Sequence, residues 1–169
     1  MQVWPRLPCI GLDLSEPYLG YARQHLGRWA LIKLVANAEA IPVTDASCDA
    51  VTSNFMFHEL PPTVRRAVFR ECARVFKPGG RLVLVDSVQR GDKLNYDGLL
   101  DLFPQNYHES YYSTYIIENF EEIAKISGLT LVRNFNAFVS KVMVFDKPES
   151  KTFPSEIAAK PSTVRLTRK

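Results

Sequence analysis

The chain has 169 residues, of which 46% are hydrophobic and 23% charged, and its formal net charge is +3. This length and composition fit one ordinary water-soluble domain with a single core. No apolar run approaches the roughly 18 residues that a membrane-spanning helix requires. The first residues also lack the charged-then-apolar layout of a secretory signal. We therefore expect a cytoplasmic protein without a membrane span.

The three cysteines, Cys9, Cys48 and Cys72, stand singly and far apart. Because no CxxC pair and no histidine at ligand spacing accompanies them, the sequence predicts neither a metal site nor a disulfide framework. From position 147 onward the chain carries six basic and two acidic residues among prolines and serines. This composition is typical of a disordered tail. The wide spacing of its bases argues against a nucleic-acid partner.

The first third of the chain reads as strands joined by a helix and loops. Residues 9–14, CIGLDL, form a compact apolar run and predict a strand. Ser15 then caps a helix that ends at Gly27, with Pro17 tolerated in its first turn. Residues 30–36 and 49–54 predict the second and third strands. The order strand, helix, strand is typical of a layered α/β domain.

The rest of the chain continues the alternation. The spacing of apolar residues predicts a helix over 62–76, which the KPGG sequence at 77–80 ends with a tight turn into a strand at 81–86. Residues 87–113 are rich in tyrosine and glycine and longer than an ordinary loop, so we interpret them as functional or partly mobile. A helix over 115–127 and an antiparallel hairpin of residues 129–138 and 141–145 complete the pattern. We expect a mostly parallel sheet covered by helices on both faces.

In an open parallel sheet, ligands bind beyond the carboxyl ends of the strands. The residues predicted at those ends are Asp13 and positions 37–39, 54–57 and 86–87. A carboxylate at a strand end can accept hydrogen bonds from both hydroxyls of a ribose. Taken alone, a strand-end aspartate is as often a helix cap or a surface residue.

Three segments in this order and spacing carry a more specific signal: IGLDLSEPYLGYAR, ANAEAIPVTDASCDAVTSNFMFHEL and ECARVFKPGGRLVLVD. Together they resemble the Rossmann-like S-adenosylmethionine-dependent methyltransferases. They are especially similar to the small-molecule, type 11-like branch, whose segments read GxDxSxxxLxxA, GDAExLPFxDxSFDxV and RVLKPGGRL. The resemblance covers residues 9 to about 146. It implies a three-layer Rossmann-like sandwich, S-adenosylmethionine as cofactor and a small molecule as methyl acceptor.

The resemblance also implies roles for individual residues. Asp13 matches the acid that holds the ribose hydroxyls, and Leu14 matches the apolar residue that packs on the adenine. Asn37 stands where aspartate is usual, and its amide oxygen can still accept the adenine amino group. Ala38 matches the residue whose backbone N–H meets the adenine ring. Two further residues match the stretch under the methionine end of the cofactor: Asn54 and Phe55.

The catalytic residue is not fixed by the sequence, and His58 is the candidate. It follows the third strand, and an imidazole suits the removal of a proton from an oxygen or nitrogen nucleophile. Methyl transfer from a sulfonium chiefly needs alignment in a dry pocket, so we slightly prefer the interpretation that His58 only packs. The segment LFPQNYHESYYS is either a substrate wall or an ordered surface loop. It adds the weaker substrate candidates Tyr107, His108, Glu109, Tyr111 and Tyr112, beside Glu59.

The family's first strand and its glycine-rich loop have no counterpart in residues 1–8. We therefore expect an irregular remnant at 1–8, an incomplete methyltransferase domain at 9–146, truncated at its amino end, and a basic tail at 147–169. The preferred interpretation is a fragment or shortened form of an active enzyme. The second is a catalytically inactive partner whose sheet another chain completes in a homo- or hetero-oligomer. The third is a makeshift strand from residues 2–7.

Overall fold

The computed structural model describes residues 7–25 and 31–149. Gly27, the predicted end of the first helix, and residues 150–169 of the predicted tail lie outside this range. Within it the chain alternates strands and helices. The strands are β1 (Cys9–Asp13), β2 (Leu31–Val35), β3 (Cys48–Asn54), β4 (Phe76–Ser87), β5 (Thr130–Ala137) and β6 (Ser140–Asp146). The helices are α1 (Glu16–His25), α2 (Pro62–Val75), α3 (Asp97–Tyr107), α4 (Tyr112–Tyr115) and α5 (Phe120–Ile126), with 3-10 turns at Phe57–Glu59 and Leu94–Tyr96.

The strands form two sheets. β1 and β2 pair in parallel, and the second sheet has the order β3-β4-β6-β5. In it β3 and β4 are parallel, while β6 runs antiparallel to both β4 and β5. The α/β class and the closing hairpin are thus confirmed. Among the described residues no strand pairs with the outer edge of β1 or β3. Within the described residues the two sheets are therefore separate.

The KPGG sequence differs from the expected turn. It lies inside β4, where Cys48 pairs with Phe76 but Ala50 pairs with Arg81, so the extra residues form a bulge. Gly79 has a φ of +76° and donates its N–H to the carbonyl of Lys147. This bond holds the bulged backbone against the residue that follows β6, so the chain continues as a strand instead of turning. Gly80 allows the bulged backbone to lie close to the Phe76 side chain, because a Cβ at position 80 would lie 2.8 Å from the Cβ of Phe76.

Two further predictions on the second half need correction. The stretch at 87–113 contains a helix, α3, because Leu100 and half-buried Phe103 give it an inward face at helical spacing. The helix predicted at 115–127 is divided into α4 and α5. Asn119 causes the division, since its side chain accepts the Glu122 N–H and starts a new helix. Ile116, Phe120 and Ile123, which are spaced three or four residues apart in this stretch, are all buried.

The core lies between α2, α5 and the sheet β3-β4-β6-β5. α2 buries Val68, Phe69, Cys72 and Val75, which recur at the spacing of one helix face. Rings of Phe57, Phe69, Phe120 and Phe145 meet there, mostly edge to face, at centroid distances of 5.3 to 6.0 Å. The helices in the described part of the chain are all too short or too polar to cross a membrane.

One arginine of α2, Arg65, is completely buried. Its Nε donates to the carbonyl of Phe57 at 2.9 Å, and its two terminal nitrogens reach the Glu118 carboxylate at 3.1 Å and the Tyr111 carbonyl at 2.8 Å. Burial lowers the pKa of this guanidinium, and the bond to Glu118 opposes that effect. Arg65 therefore joins α2 to the 3-10 turn after β3 and to the segment around α4.

We expect Arg65→Ala to lower the free energy of unfolding by about 3–5 kcal/mol, because it removes a completely buried cation that pairs with Glu118 and donates to the carbonyls of Phe57 and Tyr111. Chemical denaturation monitored by circular dichroism measures the change. Arg66→Ala is the matched control, since Arg66 is 45% exposed and also pairs with Glu118. It should cost no more than about 1 kcal/mol. Equal losses in the two variants would contradict this account.

Candidate active site

The centre of the site is Asp86, near the carboxyl end of β4. Leu82, Leu84 and Asp86 alternate along the strand and share its buried face, so the strand period carries a carboxylate into the interior. Asp86 is completely buried. Its Oδ2 accepts the Phe57 N–H at 2.8 Å, and its Oδ1 accepts the Ser87 N–H at 2.7 Å. These bonds satisfy a buried charge that would otherwise be costly.

His58 is held directly on this carboxylate. Its Nδ1 lies 2.6 Å from Asp86 Oδ1, and 12% of its side chain is exposed. The chain reaches this position through Phe55, whose φ of +50° turns the backbone out of β3 while its N–H donates to the carbonyl of Val85. Phe57 then fills the aromatic core. With Nδ1 engaged by the carboxylate, Nε2 is the ring nitrogen left for other partners.

Two tyrosines of α4 form the wall beside the imidazole. The rings of Tyr112 and Tyr115 lie 6.0 and 6.1 Å from the His58 ring, both edge to face. The Tyr115 hydroxyl donates to the Ser87 carbonyl at 2.5 Å, and the hydroxyls of Tyr112 and Ser87 are 2.5 Å apart. Burial raises the pKa of both tyrosines, so their phenols stay neutral. The two tyrosines therefore form a neutral wall beside His58, and the imidazole can change its charge near neutral pH.

The surroundings of His58 are acidic. Glu59 Oε1 lies 3.9 Å from His58 Nε2, and Glu109 completes a group whose donor atoms lie within 4.8 Å of one another. Such a group attracts a positive charge, either a proton on the imidazole or a cation. Burial lowers the pKa of His58, but the hydrogen bond and charge of Asp86, with the charges of Glu109 and Glu59, outweigh it and raise the pKa above its ordinary value.

The residues expected to hold adenosine lie together at the end of the other sheet. Asp13 pairs with Val35, and its carbonyl accepts the Ala36 N–H at 3.0 Å, so positions 36–38 lie beside it. Asp13 Oδ1 accepts the Ser15 N–H at 2.7 Å, which orients the carboxylate at the start of α1. Asn37 bonds to Glu39 through both atoms of its amide.

The segment between the two sheets is tied to α2. Glu71 accepts the Ile41 N–H at 2.8 Å, and Arg74 donates to the carbonyls of Ile41 and Val43 and to the Asp45 carboxylate. The pKa of Glu71 is lowered by its bond to Arg74. These contacts fasten the stretch that follows Asn37 and Ala38 to the larger sheet's helix.

The weaker substrate candidates are only partly brought to His58. Tyr107 is 65% exposed, and its ring packs on Phe103, which in turn packs on Tyr112. His108 is exposed and ends α3 with a φ of +58°. The carbonyl of Tyr111 serves Arg65. Of these candidates Glu109 and Tyr112 lie near the imidazole, together with Tyr115.

The sequence identified Asp86 and Ser87 as a strand end without giving them a role, and Tyr115 and Arg65 were missed. The alternation of β4 could have indicated a buried Asp86. The parallel pairing of Asn54 with Val85 would then have placed it beside the chain that leaves β3. Nothing in the local sequence indicates the contact between α4 and Ser87, because it joins segments 25 or more residues apart.

Comparison with known proteins agrees with this architecture. Residues 3–84 match the model of the methyltransferase domain family. This matched segment, close to half of the chain, belongs to the methyltransferase domain family. A solved methyltransferase of the same fold is the 1,6-didemethyltoxoflavin-N1-methyltransferase of Burkholderia thailandensis, in complex with 1,6-didemethyltoxoflavin and S-adenosylhomocysteine. It is 14% identical to this chain, with a TM-score of 0.57, over 83% of this chain and 61% of that one.

Curated relatives within the methyltransferase family match about half of the chain. The malonyl-[acyl-carrier protein] O-methyltransferase of Methylococcus capsulatus is 39% identical over 80 residues, which are 47% of this chain and 28% of that protein. The demethylmenaquinone methyltransferase of Thermotoga maritima is 40% identical over 82 residues, 48% of this chain and 34% of that protein. The matched part thus spans about a third of these relatives.

The raised pKa of His58 predicts a pH-dependent contribution to stability. The folded state binds the proton more tightly than the unfolded state, so the contribution is fully present below about pH 6.5 and is lost as the pH rises through the folded-state pKa. The difference in unfolding free energy between wild type and His58→Gln should therefore be larger at pH 5.5 than at pH 8.5, measured by urea denaturation. In an Asp86→Asn background the pH dependence should shrink. An unchanged difference would contradict the assigned cause.

Proposed function

We propose that this chain binds S-adenosylmethionine at the carboxyl ends of its parallel strands and carries out methyl transfer to a small molecule. The observation that carries the proposal is the meeting of Asp13 with positions 36–38 at the end of β1 and β2. Family membership makes S-adenosylmethionine the expected cofactor. When bound, it supplies a methyl group on a sulfonium, which a nucleophile in line with the carbon–sulfur bond can remove.

The donor set at the first sheet fits the adenosine part of this cofactor. Asp13 is half-buried and held by Ser15 through one carboxylate oxygen, which leaves the second oxygen for ribose hydroxyls. Leu14 is 71% exposed, an apolar side chain that an adenine ring would cover. Asn37 and Ala38 follow on the neighbouring strand, where they would meet the edge of the base. Asn37 stands where aspartate is usual in the family, and Glu39, which accepts a hydrogen bond from the Asn37 amide, adds a carboxylate beside it.

The residues at the end of the second sheet fit the methionine part of the cofactor, where the methyl group is transferred. Asn54 and half-exposed Phe55 leave β3 beside the end of β4, and the positive φ of Phe55 turns the chain there. We assign these two residues to the methionine part of the cofactor. His58 and the wall of Tyr112 then face the methyl acceptor. Tyr107 and Tyr111 lie further out on the same segment, as an outer substrate wall with His108.

The acceptor is proposed to be a small molecule rather than a polymer. The net charge of the chain is only +3, and residues 147–169, with six basic and two acidic residues, account for all of it, so the rest of the chain is nearly neutral. A nucleic-acid substrate would call for a basic surface at the site. The candidate site instead presents Asp86, Glu59 and Glu109 around one imidazole. Such a surface repels phosphates and suits a compact, uncharged acceptor.

We expect Asp13→Ala to weaken S-adenosylmethionine and S-adenosylhomocysteine binding at least tenfold, because the ribose loses its charged acceptor and such bonds contribute about 1.5–3 kcal/mol. Isothermal titration of the full chain measures the dissociation constants. Asp49→Ala is the matched control, an exposed carboxylate at the opposite end of β3. The Asp49→Ala variant should bind both compounds with the affinity of wild type. Undiminished binding by Asp13→Ala would remove the ribose assignment, and no binding by wild type would overturn the cofactor site of this chain.

A further inference from the structure

The pair formed by His58 and Asp86 has the geometry of a general base with its orienting carboxylate. A base of this kind needs one ring nitrogen fixed by an acceptor and the other free to take a proton. Asp86 fixes Nδ1 at 2.6 Å from a completely buried position. Its two backbone hydrogen bonds prevent the carboxylate from turning away. Nε2 is thereby left on the side of Glu59 and Glu109.

We propose that His58 Nε2 removes a proton from a phenolic hydroxyl of the methyl acceptor and that Asp86 is the positioning residue that holds the imidazole for this step. The inference rests on the proposed function, and it names the substrate class of the same site. The acceptor O–H bond breaks and its proton passes to Nε2. The oxygen forms a bond to the methyl carbon as the carbon–sulfur bond breaks, which leaves neutral S-adenosylhomocysteine. No oxidant or further reactant is needed.

The charges around His58 favour this direction of transfer. Asp86 from β4, Glu59 from its own turn and Glu109 from the segment before α4 all face the imidazole, and the α4 tyrosines that pack on it stay neutral. Three carboxylates stabilise the imidazolium that forms. Arg65, the cation close to this group, is paired with Glu118. The same arrangement raises the pKa of His58, which makes it a stronger base than a free histidine.

The shape and charge of the wall select the acceptor. A carboxylate acceptor is already ionised at neutral pH, needs no base and would be repelled by Glu59 and Glu109. A phenol is uncharged and needs a base, since its pKa resembles that of tyrosine, about 10. The rings of Tyr107, Phe103 and Tyr112 pack in series up to His58. They offer a planar aromatic acceptor an edge or a face to pack against.

The test compares two acceptors of different acidity with the full chain. Phenol requires deprotonation, whereas 4-nitrophenol is largely ionised at pH 8.5. We expect His58→Gln to lower the rate of phenol methylation about 100-fold or more and the rate with 4-nitrophenol less than about tenfold. The exposed His25, on α1, provides the matched control, His25→Gln, which should leave both rates unchanged. Equal losses with both acceptors in His58→Gln would overturn the base role.

The role of Asp86 is tested by measuring the rate of phenol methylation as a function of pH. The rate with phenol should rise with pH through the pKa of His58, because the base must be unprotonated. In Asp86→Asn this rise should move to lower pH and level off at a lower rate, because the charge that raises the pKa is lost. A purely structural role would lower the rate without moving the profile. If Asp86→Asn does not fold, the His58→Gln comparison and the wild-type profile decide.

Titration with S-adenosylmethionine separates the two proposals. If wild type does not bind it, the proposed function fails. If wild type and His58→Gln bind it equally but wild type methylates neither phenol, the acceptor class is wrong and the cofactor site stands. Methylation of benzylamine in place of phenol would likewise overturn the acceptor class. Activity that EDTA abolishes and Mn²⁺ restores would overturn the base role of His58.

Discussion

The structure around the site depends on one buried carboxylate. Asp86 continues the inward face of β4 after Leu82 and Leu84, so the same alternation that builds the core carries a charge into it. A buried carboxylate is tolerated only when it is fully hydrogen-bonded. Asp86 meets this requirement with the N–H groups of Phe57 and Ser87 and the imidazole of His58. The turn after β3 is thereby fixed to the end of β4.

A second buried charge supports the same turn from the other side. Arg65 accounts for the Phe57 carbonyl and reaches both the Glu118 carboxylate and the chain before α4. Its guanidinium also lies 5.6 Å from the centre of the Tyr115 ring. His58 therefore lies on a turn in which both backbone groups of Phe57 are hydrogen-bonded to buried charged side chains, the N–H to Asp86 and the C=O to Arg65. This rigidity is what a base that must meet a reacting proton requires.

The two halves of the site are held together differently. The residues assigned to adenosine lie on the β1-β2 sheet, and the residues assigned to the reaction lie on the larger one. Their described connection includes the segment after Asn37, which Glu71 and Arg74 of α2 clamp through backbone groups. A cofactor that contacts both Asp13 and Phe55 would bridge the sheets. Its binding would then favour one arrangement of the two halves.

The sequence by itself indicated the family, the alternation of strands and helices, and the strand-end residues that we assign to adenosine. These features follow from local patterns, since apolar periodicity and turn residues report on a few neighbours at a time. For that reason the closing hairpin and the helix α2 were predicted correctly. The KPGG bulge was not, because its conformation depends on the distant Lys147 that pairs with Gly79.

Only the tertiary structure decided what His58 can do. From sequence, the interpretation that it merely packs was slightly preferred, because methyl transfer chiefly needs alignment in a dry pocket. Its partner Asp86 lies 28 residues away, and its wall, Tyr112, lies further still. Contacts over such separations are set by strand pairing and helix packing, which local patterns do not encode. Asp86 at the end of β4 and His58 after the neighbouring strand β3 come into contact only when the sheet forms.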